Sequence, residues 1–184
     1  MNILVFCSAQ EVPEKYTKAA EEFGMLIGKA GHNLVWGGTD RGMMHTVSDA
    51  VRKAGGKLIG ITTEYFKHKV RKDVDEMYVA LDLPERKKMM LERGDALVVL
   101  PGGIGTLDEA LAMLALKREG MHQKPIVFLN TDAYFSGLQE QFARMEREGF
   151  LANADKDVIP GLGITYFANS PKDVMTYITN NHGR

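Results

Sequence analysis

Cysteine is all but missing: Cys7 stands alone among 184 residues, which excludes an intrachain disulfide and a Cys-rich zinc site. An excess of one charge is missing too. The 23 Lys and Arg face 24 Asp and Glu, for a net charge of −1, so the basic footprint that nucleic-acid binding needs is not there. No stretch comes near the ~18 consecutive apolar residues of a membrane span, and residues 1–9 are too short for a secretory signal. The expectation is a cytoplasmic protein with neither nucleic acid nor membrane as a partner. The histidines at 32, 45, 68, 122 and 182 show no ligand spacing, so no metal is expected. Internal repeats and Ser/Gly/Pro-rich linkers are lacking as well, and residues 1–184 read as one domain.

What is present is an ordinary globular composition, 45% apolar and 26% charged. Folding a chain of this size buries roughly 70% of its extended surface, enough for a core without staples. Short apolar runs at 2–7, 33–36, 57–61, 96–100 and 126–129, flanked by Gly or Asp, read as parallel strands covered on both faces. Between them, residues 14–30, 43–54, 85–93, 106–119 and 133–148 have helical spacing. Gly31, Gly55, Gly94, Gly120 and Gly149 follow these segments, where a helix end favours a left-handed residue. A weaker strand at 164–167 and a helix at 171–178 complete the pattern. Alternating β and α units imply an α/β fold, a doubly wound Rossmann-like parallel sheet with helices on both faces. Ligands in such folds sit beyond the carboxyl ends of the strands, near the switch in strand order. The loops after Cys7, Trp36, Ile61 and Leu100 are therefore the ones that matter.

The richest of these loops is Pro101-Gly102-Gly103-Ile104-Gly105-Thr106-Leu107-Asp108-Glu109, running from a strand into a helix. Its glycines let backbone N–H groups approach an anion at the positive end of a helix dipole. Thr106 and Glu109 also have the spacing of a capping box, which would occupy both side chains structurally. A second loop, Gly37-Gly38-Thr39-Asp40-Arg41-Gly42-Met43-Met44, is either a tight strand-to-helix turn or the other half of a cradle for one phosphorylated ligand. Two common nucleotide motifs are excluded. A dinucleotide fingerprint would need a third glycine where Asp108 stands, and no G-x-x-x-x-G-K-[ST] occurs.

Between the loops, Leu83-Pro84-Glu85-Arg86-Lys87-Lys88-Met89-Met90-Leu91 opens a helix with proline in its first turn. On a helical projection Leu83, Met90 and Leu91 form an apolar face, with Lys87 near its centre and Arg86 on its flank. Lys87 must either snorkel to water or meet an anion, because a buried unpaired ammonium is costly. The basic run 67–72 reads as a solvated loop or a lid. From Leu107 to Leu116 eight of ten residues are apolar, which leaves the helix without a solvent face. Either the chain itself or a second copy covers it, and the expectation is a homodimer.

At these residues the chain resembles the Lonely guy (LOG) family, also labelled lysine decarboxylase-like. That family's signature P-G-G-x-G-T-x-x-E is matched from Pro101 to Glu109, and its R-K-x-x-M element from Arg86 to Met90. The resemblance implies a hydrolase that cleaves nucleoside 5′-monophosphates, notably cytokinin ribosides, to free base and ribose 5-phosphate, without a cofactor. It assigns the catalytic carboxylate to Glu109, with gripping of the ribose hydroxyls as the other role open to it. Arg86 becomes the residue on the anionic or leaving-group side. Lys87 adds charge, while Gly102, Gly103, Ile104, Gly105 and Thr106 hold the phosphate. Gly37, Gly38, Gly42, Met43 and Ser8 supply the remaining contacts. Departures fall in the G-G-G-x-x-G-x-M-G turn, which lacks two glycines here, and in the C-G-S-S loop, here Cys7-Ser8-Ala9-Gln10. The family's glutamate in the 62–72 segment is replaced, with His68 in that stretch. The alternative of another class is a carrier or sensor that binds a nucleotide or pterin without cleaving it. Lysine decarboxylation is disfavoured, since no cofactor-binding lysine with its partners is evident.

Overall fold

The apolar runs are short and lack a polar alternation, so each strand needs cover on both faces, and the chain supplies it with helices. The structure, a computed structural model, describes residues 1–151 and 164–182. Strands β1 (Asn2–Phe6), β2 (Asn33–Trp36), β3 (Leu58–Thr63), β4 (Glu76–Ala80), β5 (Ala96–Val99), β6 (Ile126–Leu129) and β7 (Tyr166–Ala168) form one sheet in the order β4-β3-β2-β1-β5-β6-β7. All neighbouring pairs are parallel. Alternate residues of β1 serve opposite layers. Ile3 and Val5 pack with Phe23 and Ile27 of α1 (Glu14–Lys29) and Val47 of α2 (Gly42–Lys53). Leu4 and Phe6 pack with Met90 of α3 (Leu83–Arg93) and Met113 of α4 (Ile104–Arg118). Helix α5 (Ser136–Arg147) adds Leu138 and Phe142 to the second layer, and α6 (Pro171–Asn181) adds Val174 and Ile178 to the first. This is the doubly wound arrangement that the sequence implies. None of the described helices is long and apolar enough to cross a membrane.

Strand β4 was not anticipated. It is an edge strand paired only with β3, four of its five residues are at least partly exposed, and its short apolar run, residues 77–81, leads almost directly into the start of α3. Gly31, Gly55, Gly120 and Gly149 have positive φ as expected, but Gly94 does not. It is extended at φ −86°, and its hydrogen side chain serves space: a Cβ there would lie 2.7 Å from Leu4 Cβ. The helix expected from residue 133 begins instead at Ser136, because Asp132 and Ala133 have φ of 53° and 55° and form a separate 3₁₀ turn, Thr131–Ala133.

Helix α1 lies close against α2 because two glycines on one face admit it. A Cβ on Gly28 would come within 2.5 Å of Ala54 Cβ and 2.8 Å of the Val51 carbonyl oxygen. In an exposed helix Gly→Ala stabilises by about 0.5–1 kcal/mol. Here Gly28→Ala should instead lower the unfolding free energy by about 1–3 kcal/mol, the range for overpacking. A urea titration of the two proteins measures it.

Candidate functional site

The strand order reverses at β1, which lies between β2 and β5, so the chain departs in opposite directions after Phe6 and after Val99. The crevice left there is where an open parallel sheet binds ligands. A cleft of about 400 Å³ occupies it, lined from the β1 loop by Ser8 and Gln10, from the β2 loop by Gly37 and Thr39, and from α3 and α4 by Arg86, Lys87, Gly103, Gly105, Thr106 and Glu109.

Arg86 is placed by a well-defined helix start. Asp82 caps α3 by accepting from the Glu85 amide at 2.8 Å, and Pro84 stands in the first turn. One turn on, Arg86 and Met90 are the buried residues of α3. The buried face is therefore centred on Arg86, not on Lys87 as the apolar pattern suggested, and Leu83 is half exposed. The Arg86 Nε donates to the Ile61 carbonyl at 2.8 Å, and Nη1 donates to Glu109 Oε1 at 2.6 Å. A Cβ on Gly37 would lie 2.5 Å from Nη2. The glycine is thus required for the space beneath the guanidinium. Lys87 reaches across to Asp108, with its ammonium 3.0 and 3.1 Å from the two carboxylate oxygens.

Glu109 comes from the second turn of α4, and the capping box expected for it does not form. The helix begins at Ile104, so its N-cap is Gly103, which has no side chain to cap with, and Thr106 lies inside the first turn; the Glu109 carboxylate is turned to Arg86. Thr106 is buried against Gly102, where a Cβ would collide with the threonine hydroxyl. Among the described residues, the amides of Gly103, Ile104, Gly105 and Thr106 have no hydrogen-bond acceptor. Cβ positions at Gly103 and Gly105 meet open space. A helix start with free N–H groups and room above it suits an anion.

Burial controls the charges here. Glu109 is 8% exposed, and desolvation raises its carboxyl above the ordinary glutamate range, an effect that the Arg86 charge only partly offsets. Cys7, on the same wall, is pushed up by burial and by the nearby Glu109, so its thiol stays protonated.

The remaining expected residues divide. Ser8 lines the cleft, and its carbonyl accepts from the Met44 amide at 3.2 Å. Gly102, Ile104, Gly38, Gly42 and Met43 lie outside the lining. Met43 is wholly buried in the core, while Ile104 is 83% exposed on the outer side of α4. Gly42, at φ 56°, lets α2 start against the Gln10 carbonyl. The basic run 67–72 is not simply solvated. Arg71 is buried, with Nε and Nη2 donating to the two Asp73 carboxylate oxygens at 2.8 and 2.9 Å and Nη1 to Ser48 at 3.2 Å. With the Arg71 amide on the Gly38 carbonyl, it pins the 3₁₀ turn Glu64–Lys69 beside the β2 loop. Phe66 and Lys69 of that turn form a wall of the cleft, whereas His68 is exposed and outside it. Sequence reasoning missed Phe66, although the loop beyond β3 was one of those that topology marks; Lys69 belongs to the basic run read as a solvated loop or a lid.

Residues 44–177 match the family described as "Possible lysine decarboxylase", which is the Lonely guy family of the signature. The chain belongs to this family. It is 34% identical over 159 residues to the cytokinin riboside 5′-monophosphate phosphoribohydrolase of Rhodococcoides fascians, covering 84% of this chain and 80% of that one. It is 36% identical over 139 residues to the enzyme of the same name from Mycobacterium tuberculosis, covering 74% of each. Among solved structures, the molybdenum cofactor binding protein of Rippkaea orientalis superposes with a TM-score of 0.74 at 27% identity, covering 97% of this chain and 95% of that one. The molybdenum cofactor carrier protein of Chlamydomonas reinhardtii, at 21% identity and a TM-score of 0.72 over 97% and 96% of the chains, shares the fold.

Proposed function

We propose that this Lonely guy family member is a hydrolase that cleaves the N-glycosidic bond of a nucleoside 5′-monophosphate, giving free base and ribose 5-phosphate. The observation that carries the reading is the buried Arg86–Glu109 pair facing the uncapped start of α4 in one cleft. Cleavage of a glycosidic bond passes through an oxocarbenium-like state. The Glu109 carboxylate stabilises that positive charge and orients or deprotonates the attacking water. Arg86 meets the leaving-group side, and the amides of Gly103 to Thr106 hold the phosphate. The names of the Rhodococcoides and Mycobacterium relatives support the same substrate class.

Product analysis tests this against a panel of nucleoside 5′-monophosphates. Free base and ribose 5-phosphate should accumulate, and the matching nucleosides should show kcat/KM about 10²-fold lower, since charge-assisted hydrogen bonds contribute about 1.5–3 kcal/mol. The likeness to the Rippkaea protein, named for binding a molybdenum cofactor, favours one second reading, a carrier or sensor that binds a nucleotide or pterin without cleaving it. A carrier would return every ligand intact.

The same reading includes a homodimer through α4. Its inner face is buried through Ala110, Met113 and Leu114, yet Ile104 and Leu111 stand 83% and 40% exposed on the other side. A second copy laid isologously on that apolar stripe removes it from water. Sedimentation equilibrium should give about twice the 20.4 kDa chain mass. A mass that stays at one chain at high concentration refutes it.

A further inference from the structure

Beside the start of α4 lies a turn that local preference does not explain. Asp132 and Ala133 are consecutive non-glycine residues with φ of 53° and 55°, a conformation that L-residues avoid and that persists only where the surroundings hold it. Three contacts hold it. Asp132 is paired with Lys15 of α1. The Asn130 side chain accepts from the Phe135 amide at 2.6 Å. Tyr134 sits edge-on between the rings of Tyr16 and Phe135, with centroids 5.5 and 5.0 Å away. What the strained turn delivers is the Tyr134 hydroxyl, which donates to the Gly102 carbonyl at 2.7 Å.

That bond falls on the one peptide whose rotation matters. A trans peptide is planar, with its C=O and N–H directed oppositely. Tying the Gly102 carbonyl to Tyr134 therefore turns the Gly103 N–H away from Tyr134. Gly102 and Gly103 carry no side chains that could resist rotation about the flanking bonds. We propose that Tyr134 is a positioning residue that orients the Gly102–Gly103 peptide, so that the Gly103 amide is preset to bind the phosphate of the ligand. The inference rests on the phosphate reading above. It also gives the Asp132–Ala133 strain a role: the turn is bent out of a helix to place one hydroxyl.

The test compares wild type with Tyr134→Phe, which keeps the ring contacts and removes only the hydroxyl. Binding of ribose 5-phosphate and of ribose is measured by calorimetry, together with kcat and KM for a hydrolysed monophosphate and the melting temperature. The expected result is about a tenfold loss of ribose 5-phosphate affinity and a matching rise in KM, with kcat and ribose binding unchanged and the melting temperature lower by no more than about 2–4 °C, the effect of one lost hydrogen bond. If wild type prefers ribose 5-phosphate to ribose and Tyr134→Phe keeps that preference in full, the role of Tyr134 is overturned. Equal losses for both ligands, or a fall in kcat alone, overturn it too, because they mark a general structural contribution. If wild type itself shows no preference for the phosphate, it is the phosphate reading that fails, and the inference goes with it.

Discussion

Glu109→Gln should abolish base release, by about 10²–10⁴-fold in kcat, while the protein stays folded and still binds ribose 5-phosphate. The amide oxygen of glutamine can accept the Arg86 Nη1 bond that Glu109 Oε1 accepts at 2.6 Å, so packing and the hydrogen bond persist. Only the negative charge and the capacity to take a proton are lost. A purely structural Glu109 would tolerate this change, and near-normal turnover would therefore end the catalytic assignment. The carrier reading makes the opposite forecast, ligand binding without turnover in both proteins.

The same residue sets a pH dependence whose sign follows from its burial. Desolvation raises the Glu109 carboxyl above 4.5, the ordinary glutamate value. Catalysis needs the ionised form, so kcat/KM should rise with pH through that elevated value, giving an acidic limb above the usual carboxylate range. Stability runs the other way. Folded Glu109 holds its proton more tightly than the unfolded chain does, so its contribution is complete below about pH 4.5 and is lost as the pH rises through the folded value. Activity and stability thus change in opposite directions over one window.

The sheet and the order of helices were legible because parallel strands buried on both faces leave continuous apolar runs, as in residues 96–100, and because Gly31, Gly55, Gly120 and Gly149 mark helix ends. Edge strand β4 has an apolar run too, residues 77–81, but it stands two residues before α3 and was passed over. Three cases show where local rules gave way to tertiary ones. Thr106 and Glu109 have the spacing of a capping box, but the helix starts at Ile104, three residues before that box requires, so Thr106 falls inside the first turn and the Glu109 carboxylate is left to the Arg86 guanidinium. Arg86 looked like the flank of an apolar stripe, since no helical projection knows that Ile61 offers a carbonyl and Gly37 a vacancy in front of it. Arg71 looked solvated within a basic run, yet Asp73 two residues on and Ser48 on α2 bury it. Each exception lies on the cleft or braces its wall, where residue choice answers to a ligand and its neighbours rather than to the helix it sits in.

Arg86→Lys carries the second large expected effect: kcat/KM should fall by about 10²-fold or more although the charge is retained. Arginine here satisfies two acceptors at once, the Ile61 carbonyl through Nε and Glu109 through Nη1, and its planar fork presents the remaining donors in fixed directions. A lysine ammonium is a single point that cannot span both acceptors from the same position on α3. If it stays with Glu109, the Ile61 carbonyl loses its donor and the leaving group loses the fork; if it moves to the carbonyl, the buried Glu109 carboxylate loses its partner. In the second arrangement the Arg86 charge no longer opposes desolvation, so the acidic limb of the pH profile should move to higher pH than in wild type. Both outcomes lower turnover, and the position of the limb tells them apart. A lysine variant that equals wild type in rate and in pH profile across the monophosphates tested would make Arg86 a structural cation, and the buried pair would then no longer support a hydrolase.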